Sequence, residues 1–90
     1  MDHLVVVVHT REGIVFRGKA SAVSSKNRKG PFDVLHTHAN FVTTLYESVV
    51  VHSTGAQPFT KTFDHGLLWV RSGALVDVYI GIGAEATKSS

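Results

Sequence analysis

Apolar and polar residues alternate along most of this chain with a period of two, the spacing of a pleated strand rather than of a helix. Residues 4–9, LVVVVH, are nearly all β-branched, which crowds a helix and suits a pleated surface. REG follows as a turn. In residues 14–21, IVFRGKAS, one side holds Ile14, Phe16, Gly18 and Ala20, and the other holds Val15, Arg17, Lys19 and Ser21. A basic loop, SKNRKG, leads to a short strand over Phe32 to Leu35. Residues 40–52, NFVTTLYESVVVH, read as a turn or short bend and then a strand from Ser48 to His52. STGA is a turn, PFTKTF (58–63) alternates again, and DHG is the next turn. LLWV (67–70) and LVDVYIGI (75–82) flank a tight hairpin, RSGA. The last strand buries Val76, Val78, Ile80 and Ile82, with Asp77 and Tyr79 facing out.

Turn signals thus recur about every ten residues between short alternating runs, the signature of an antiparallel β-sandwich or barrel. The expected fold is all-β: a small antiparallel β-sandwich or flattened barrel of about eight to ten short strands. No segment has the length and period of an amphipathic helix. Residues 1–84 form the single expected domain, and 85–90 form a small, polar tail that frays.

Composition narrows the functional classes. A chain of 90 residues buries only about 60% of its unfolded surface, so few residues remain to wall a deep cleft. Charged residues make up 18%, and the net charge is +2. A surface so low in charge is either simply bland or partly covered by a partner. The weak positive balance does not argue for nucleic acid, and no aromatics interleave with Lys26, Arg28 and Lys29 in the basic loop. There are no cysteines, hence no disulfide and no thiolate chemistry. No signal peptide is visible, and no apolar run approaches the ~18 residues that span a bilayer.

Candidate chemistry centres on GPFDVLHTHANF, residues 30–41. His36 and His38, two apart on an extended chain, point to the same side and could begin a metal site, but such a site needs three or four ligands. Asp33 is the one nearby carboxylate. Turn histidines bonded to backbone or to a partner are the plainer reading, and no metal or cofactor is assigned. No serine sits in a nucleophile elbow, and the glycines form neither a P-loop nor a dinucleotide fingerprint. Binding is the class that remains. Phe41, Leu45, Tyr46 and Trp69 are contact candidates. Trp69, beside Leu68 on a hairpin strand, fits a core position better than an interface, and Tyr79 fits either.

Taken in order, LVVVVHTREGIVFRG, ASAVSS, GPFDVLHTHANFVTTL, HGLLWV and LVDVYIGI resemble the N-terminal domain of the epsilon subunit of F-type ATP synthases, whose mitochondrial equivalent is the delta subunit. The match runs from about residue 3 to residue 83. Its most specific part aligns Gly30, Phe32, Val34, Leu35, His38 and Ala39 with a family turn of the form G-x-F-x-I-L-x-x-H-A-P-L. Departures are Arg11 and Asn40 where the family has prolines, His65 for the first glycine of a G-G pair, and Pro31 at a commonly acidic or polar position.

The resemblance implies a non-catalytic rotor subunit that binds the gamma subunit and the c-ring. It implies an interface formed by Lys29, Gly30, Pro31, Phe32, His36, His38, Asn40 and Phe41. The preceding loop is basic where the family is often acidic, which implies a ring of complementary charge. No cofactor, no nucleic acid and only indirect membrane contact are expected. The location implied is the cytoplasmic side of an energy-coupling membrane or the equivalent organelle interior. The family's C-terminal helical hairpin, with its regulatory and nucleotide-binding roles, is not expected in this chain. The competing class is a stand-alone β-sandwich module that binds protein, a small ligand or a metal and shares only the fold.

Overall fold

A computed structural model describes residues 3–36, 40–72 and 74–81. Within them the chain forms six strands: β1 (Leu4–Thr10), β2 (Gly13–Asn27), β3 (Gly30–Val34), β4 (Phe41–Ser53), β5 (Phe59–Arg71) and β6 (Leu75–Ile80). The order is β1-β6-β5-β4-β2-β3, and a further β1–β2 pairing closes five of the strands into a flattened barrel. Neighbours pair antiparallel except β1 and β6, which run parallel. No helix among the described residues is long and apolar enough to cross a membrane.

The expected sandwich is present, but its short strands are fused. Strands β2, β4 and β5 are 15, 13 and 13 residues long, well beyond the usual strand of about 5–6 residues. Each serves both layers of the barrel. One layer comprises β1, β6, the first half of β2, the start of β4 and the end of β5. The other comprises β3, the second half of β2, the end of β4 and the start of β5. The register slips between Ala20 and Ala22 of β2, and between Tyr46 and Glu47 of β4 where Asp64 of β5 is the extra residue. Such bulges bend a strand without ending it. Glu47 takes φ 78° there, in the left-handed region.

Two expected turns are therefore corrected. The bend at residues 40–46 and the DHG turn at 64–66 both lie within or beside continuous strands, at the bulge that carries the chain from one layer to the other. Gly66 is needed there for close approach. A Cβ on it would stand 3.0 Å from the Tyr79 carbonyl oxygen and 3.4 Å from the Phe63 ring.

The core is built almost wholly from valine and leucine. Val6, Val8, Val49, Val51, Leu45 and Leu68 are among its fully buried members. Phe16, Phe32, Phe59 and Phe63 pack against it as partly buried neighbours. Phe16 from one layer meets Phe59 from the other, with ring centroids 5.1 Å apart. Ile14, expected on the buried side with Phe16, is exposed instead, because a bulge at Val15 reverses the alternation.

Asp77 is the main departure from the alternation. It lies on the outward-pointing side of β6 yet is only 6% exposed. The His9 ring nitrogen Nε2 sits 3.0 Å from Asp77 Oδ1, and the guanidinium of Arg71 stands 2.6 Å from Oδ2. The Arg71 contact is an ion pair without an aligned hydrogen bond. Tyr79 stacks on His9 at 4.5 Å, and the Arg71 guanidinium lies 5.0 Å over the Trp69 ring. These side chains bury a carboxylate on a face where a surface residue is expected, and they tie β1 to β6 and β5.

Two stability predictions follow from this packing. Gly66→Ala should lower the urea midpoint, with a loss of about 1–3 kcal/mol from overpacking against a backbone oxygen. An unchanged midpoint would mean that the bulge relaxes freely. Arg71→Ala should cost about 2 kcal/mol, less than for a fully buried pair because the arginine is half-exposed. Adding Asp77→Asn should recover part of that loss, since the stranded anion is removed. If the double variant is no more stable than Arg71→Ala, the arginine acts through Trp69 rather than through the carboxylate.

Candidate interaction surfaces

The interface residues expected from the sequence fall in separate places. Lys29 is exposed on the two-residue turn joining β2 to β3, and Gly30, with φ 118°, opens β3. Pro31 is exposed, whereas Phe32 points inward and packs on the core. At the other end of β3, about 13 Å away at ~3.3 Å per residue, His36 and Phe41 line a shallow depression with Asp33, Val34 and Leu35. Asn40 is turned toward the β5–β6 connection, where its Oδ1 accepts a hydrogen bond of 2.6 Å from the Ser72 N–H. His38 lies outside the described residues. The structure thus brings His36 and Phe41 together and leaves Lys29 at a distinct hairpin tip.

That tip is anchored along β4. Lys26 pairs with Glu47 at 2.9 Å, and the Asn27 amide donates to the Thr43 hydroxyl at 3.3 Å. Arg28 bonds the Tyr46 phenol. That contact raises the guanidinium above its ordinary range. The phenol is lowered, first by its hydrogen bond with Thr44 and then by Arg28. The ring of Tyr46 also meets His65 edge-on at 5.8 Å. The Lys26–Glu47 pair is exposed and adds little stability, but it holds the basic tip in a defined position.

The outer face of the layer containing β3 is polar. Ser24 donates to Asp33 Oδ1 at 2.6 Å and sits 2.8 Å from His52 Nε2. Its single proton goes to the carboxylate, so the imidazole N–H donates to the Ser24 oxygen. The serine stands between acid and histidine, the reverse of a hydrolytic triad, in which the histidine lies between acid and nucleophile. The network pins three neighbouring strands together. Among the described residues no three His, Asp or Glu side chains converge as a metal site.

The outer face of the other layer carries most of the exposed large apolar side chains among the described residues. Strand register places Arg17, Val7, Asp77, Trp69 and Val42 in one row across β2, β1, β6, β5 and β4. A parallel row holds Lys19, Val5, Leu75 and Arg71. A third holds Ile14, His9, Tyr79, Leu67 and Thr44. Of the seven large apolar side chains exposed among the described residues, Ile14, Val42, Trp69 and Leu75 belong to these rows. Trp69, which fitted a core position in the sequence, is 41% exposed. Sequence reasoning named Trp69 and Tyr79 singly and missed the face. The signal available was scattered outward apolar residues, Val5 and Val7 of β1, Val42 of β4, Leu67 and Trp69 of β5 and Leu75 of β6, and it requires the register to be seen as one patch.

No protein-family model matches the chain. It is 40% identical over 62 residues to an ATP synthase epsilon chain from Caulobacter vibrioides, a match covering 69% of this chain and 67% of that one. Its fold resembles a chain in the Euglena gracilis mitochondrial ATP synthase structure of OSCP, F1 and c-ring, with TM-score 0.76 and 16% identity. It also resembles a chain in the central stalk and c-ring structure of the Tetrahymena thermophila mitochondrial ATP synthase, with TM-score 0.67 and 14% identity. These two alignments cover 97% and 86% of this chain but only 60% and 62% of the relatives. At such identities the two structures speak for the fold alone, and the family rests on the closer sequence relation. By that relation, the chain belongs to the ATP synthase epsilon chain family.

Proposed function

We infer that this chain is a non-catalytic central-stalk subunit of an F-type ATP synthase. It binds the gamma subunit and rests on the c-ring, so that proton flow turns the shaft while ATP is made on other subunits. It is an accessory, peripheral part of a membrane-associated complex and meets the membrane only through its partners. The observation that carries this reading is the sequence relation to an epsilon chain over two-thirds of that relative. The geometry supports it: one layer has a self-satisfied polar exterior, while the other exposes apolar rows of a kind usually covered by a partner.

The contact set, carried over from the family resemblance, is Lys29, Gly30, Pro31, Phe32, His36, His38, Asn40 and Phe41; its described members are spread along β3 and beyond its end, with Phe32 packed inward. Within it the β2–β3 tip, with Arg28 and Lys29 exposed, meets the ring. A basic tip requires an acidic ring surface. Torque passes through a body whose long strands run unbroken between both layers, so the load is carried by ladder hydrogen bonds.

The test is co-migration on a sizing column with the gamma subunit of the same organism, with and without the c-ring. A one-to-one complex with gamma, and a larger one with the ring, is expected. Separate elution of a folded chain and a competent gamma would overturn the rotor reading. Reversing charge at the tip with Arg28→Glu and Lys29→Glu should weaken ring association about tenfold at low salt. The difference should shrink as ionic strength rises, and the gamma complex should be unaffected. Equal affinity for the ring at every salt concentration would remove the tip from the contact.

A further inference from the structure

Barrel closure leaves two stretches of sheet without a described neighbour. The strand order ends at β3, which pairs only with β2. At the opposite side of the same layer, β6 pairs with β5 only from Gly66 to Arg71, and the Gly81 N–H reaches the His65 carbonyl at 3.5 Å. The first residues of β5, Phe59–Phe63, thus pair with β4 on one side and with no described strand on the other. Each free edge presents main-chain donors and acceptors that a further strand could take up.

The β3 edge carries its own block. Pro31 lies opposite Lys26 of β2. Having no amide hydrogen, it fits this edge strand with its nitrogen turned to the free side, where a docking strand finds no donor. The β5 edge has neither proline nor bulge between Phe59 and Phe63, and FTKTF is rich in strand-forming residues. Phe59 and Phe63 pack against the core. Alternation puts Lys61 on their side of the strand, between them, yet Lys61 is exposed. No carboxylate pairs with it among the described residues. An inward-pointing charge on an edge strand is one of the ways in which natural sheets resist edge-to-edge pairing.

A second copy of the chain would meet this edge with its own. The antiparallel register that uses all of residues 59–63 is centred on residue 61. It sets Phe59 of each copy opposite Phe63 of the other, and Thr60 opposite Thr62, pairs that favour a sheet continued across a twofold axis. At the centre Lys61 faces its own copy, with Cβ atoms about 4.5–5.5 Å apart and like charges directly opposed. A one-residue slip sets the phenylalanine side of one strand against the threonine side of the other, and a two-residue slip shortens the ladder.

We propose that Lys61 keeps the free edge of β5 from pairing with a second copy of this chain. The edge is otherwise self-complementary, and the charge at its twofold centre decides between monomer and dimer. This role is independent of the rotor reading.

Analytical ultracentrifugation of the full chain and its variants reads the association directly. The wild-type chain should stay monomeric up to about 1 mM, where even weak pairing registers. Lys61→Val should dimerise at least about tenfold more tightly than wild type. Lys61→Glu alone should stay monomeric, because carboxylates then oppose each other. Mixed in equal amounts with wild type, it should form a one-to-one heterodimer, lysine opposite glutamate, at least about tenfold tighter than either self-association. Amide hydrogen exchange should show new protection within residues 59–63 in both dimers. Thr62→Val, which adds an apolar group on the other side of the same strand, should not cause dimerisation. Circular dichroism checks that each variant is folded, and the mixture keeps the test decisive if Lys61→Val does not fold.

A wild-type dimer, or a folded mixture that fails to pair, would overturn the proposal. So would dimers whose amides at 59–63 gain no protection, since pairing would then run elsewhere. A Thr62→Val dimer would also overturn it, because apolarity rather than the central charge would control association.

Discussion

The structure depends on three strands that each belong to two layers. A 90-residue chain has little interior to stabilise two separate sheets. By bending β2, β4 and β5 at bulges instead of ending them, it joins both layers with unbroken backbone and loses no pairing to corner loops. The local requirements are specific: an extra residue at Asp64, a left-handed Glu47, and a glycine at 66 so that β5 can lie against the Tyr79 carbonyl. The narrow valine core is a consequence, because layers joined this closely leave space for small branched side chains and push the phenylalanines to the rim.

The two exteriors then differ in kind. Around β3, hydrogen bonds among Ser24, Asp33 and His52 satisfy polar groups within the domain. Across β1, β6, β5 and β4 the outward positions mix apolar side chains with His9, Tyr79, Thr44 and Arg71, and the single carboxylate among them is engaged by His9 and Arg71. The proposed rotor role would use such a difference between surfaces.

Much of this was legible in the residues. Alternation of period two assigned the all-β class and placed Phe16, Gly18 and Ala20 on a common side. The ordered motifs around Gly30 and Phe32 pointed to the epsilon family, and the sequence relation to the Caulobacter vibrioides chain agrees. The six continuous strands were harder to see, because DHG has the composition of a turn and becomes a bulge only when β4 lies opposite it. Spacing also could not show that Lys29 and His36 sit at opposite ends of β3.

Between bulges the sequence by itself determined which side chains share a face, since that follows from the pleat and needs no partner strand; across the bulge at Val15 it put Ile14 on the wrong side. Only the tertiary structure decided which faces meet water. Asp77 occupies an outward position and is buried because His9 and Arg71, 68 residues before it and six before it in the chain, converge on its two oxygens. Trp69 is flanked by core residues and is 41% exposed, with the Arg71 guanidinium over its ring, because it points away from the core on the outer side of β5. Burial depends on what lies across the gap, and in a barrel of bent strands that neighbour is set by register and closure over long sequence distances.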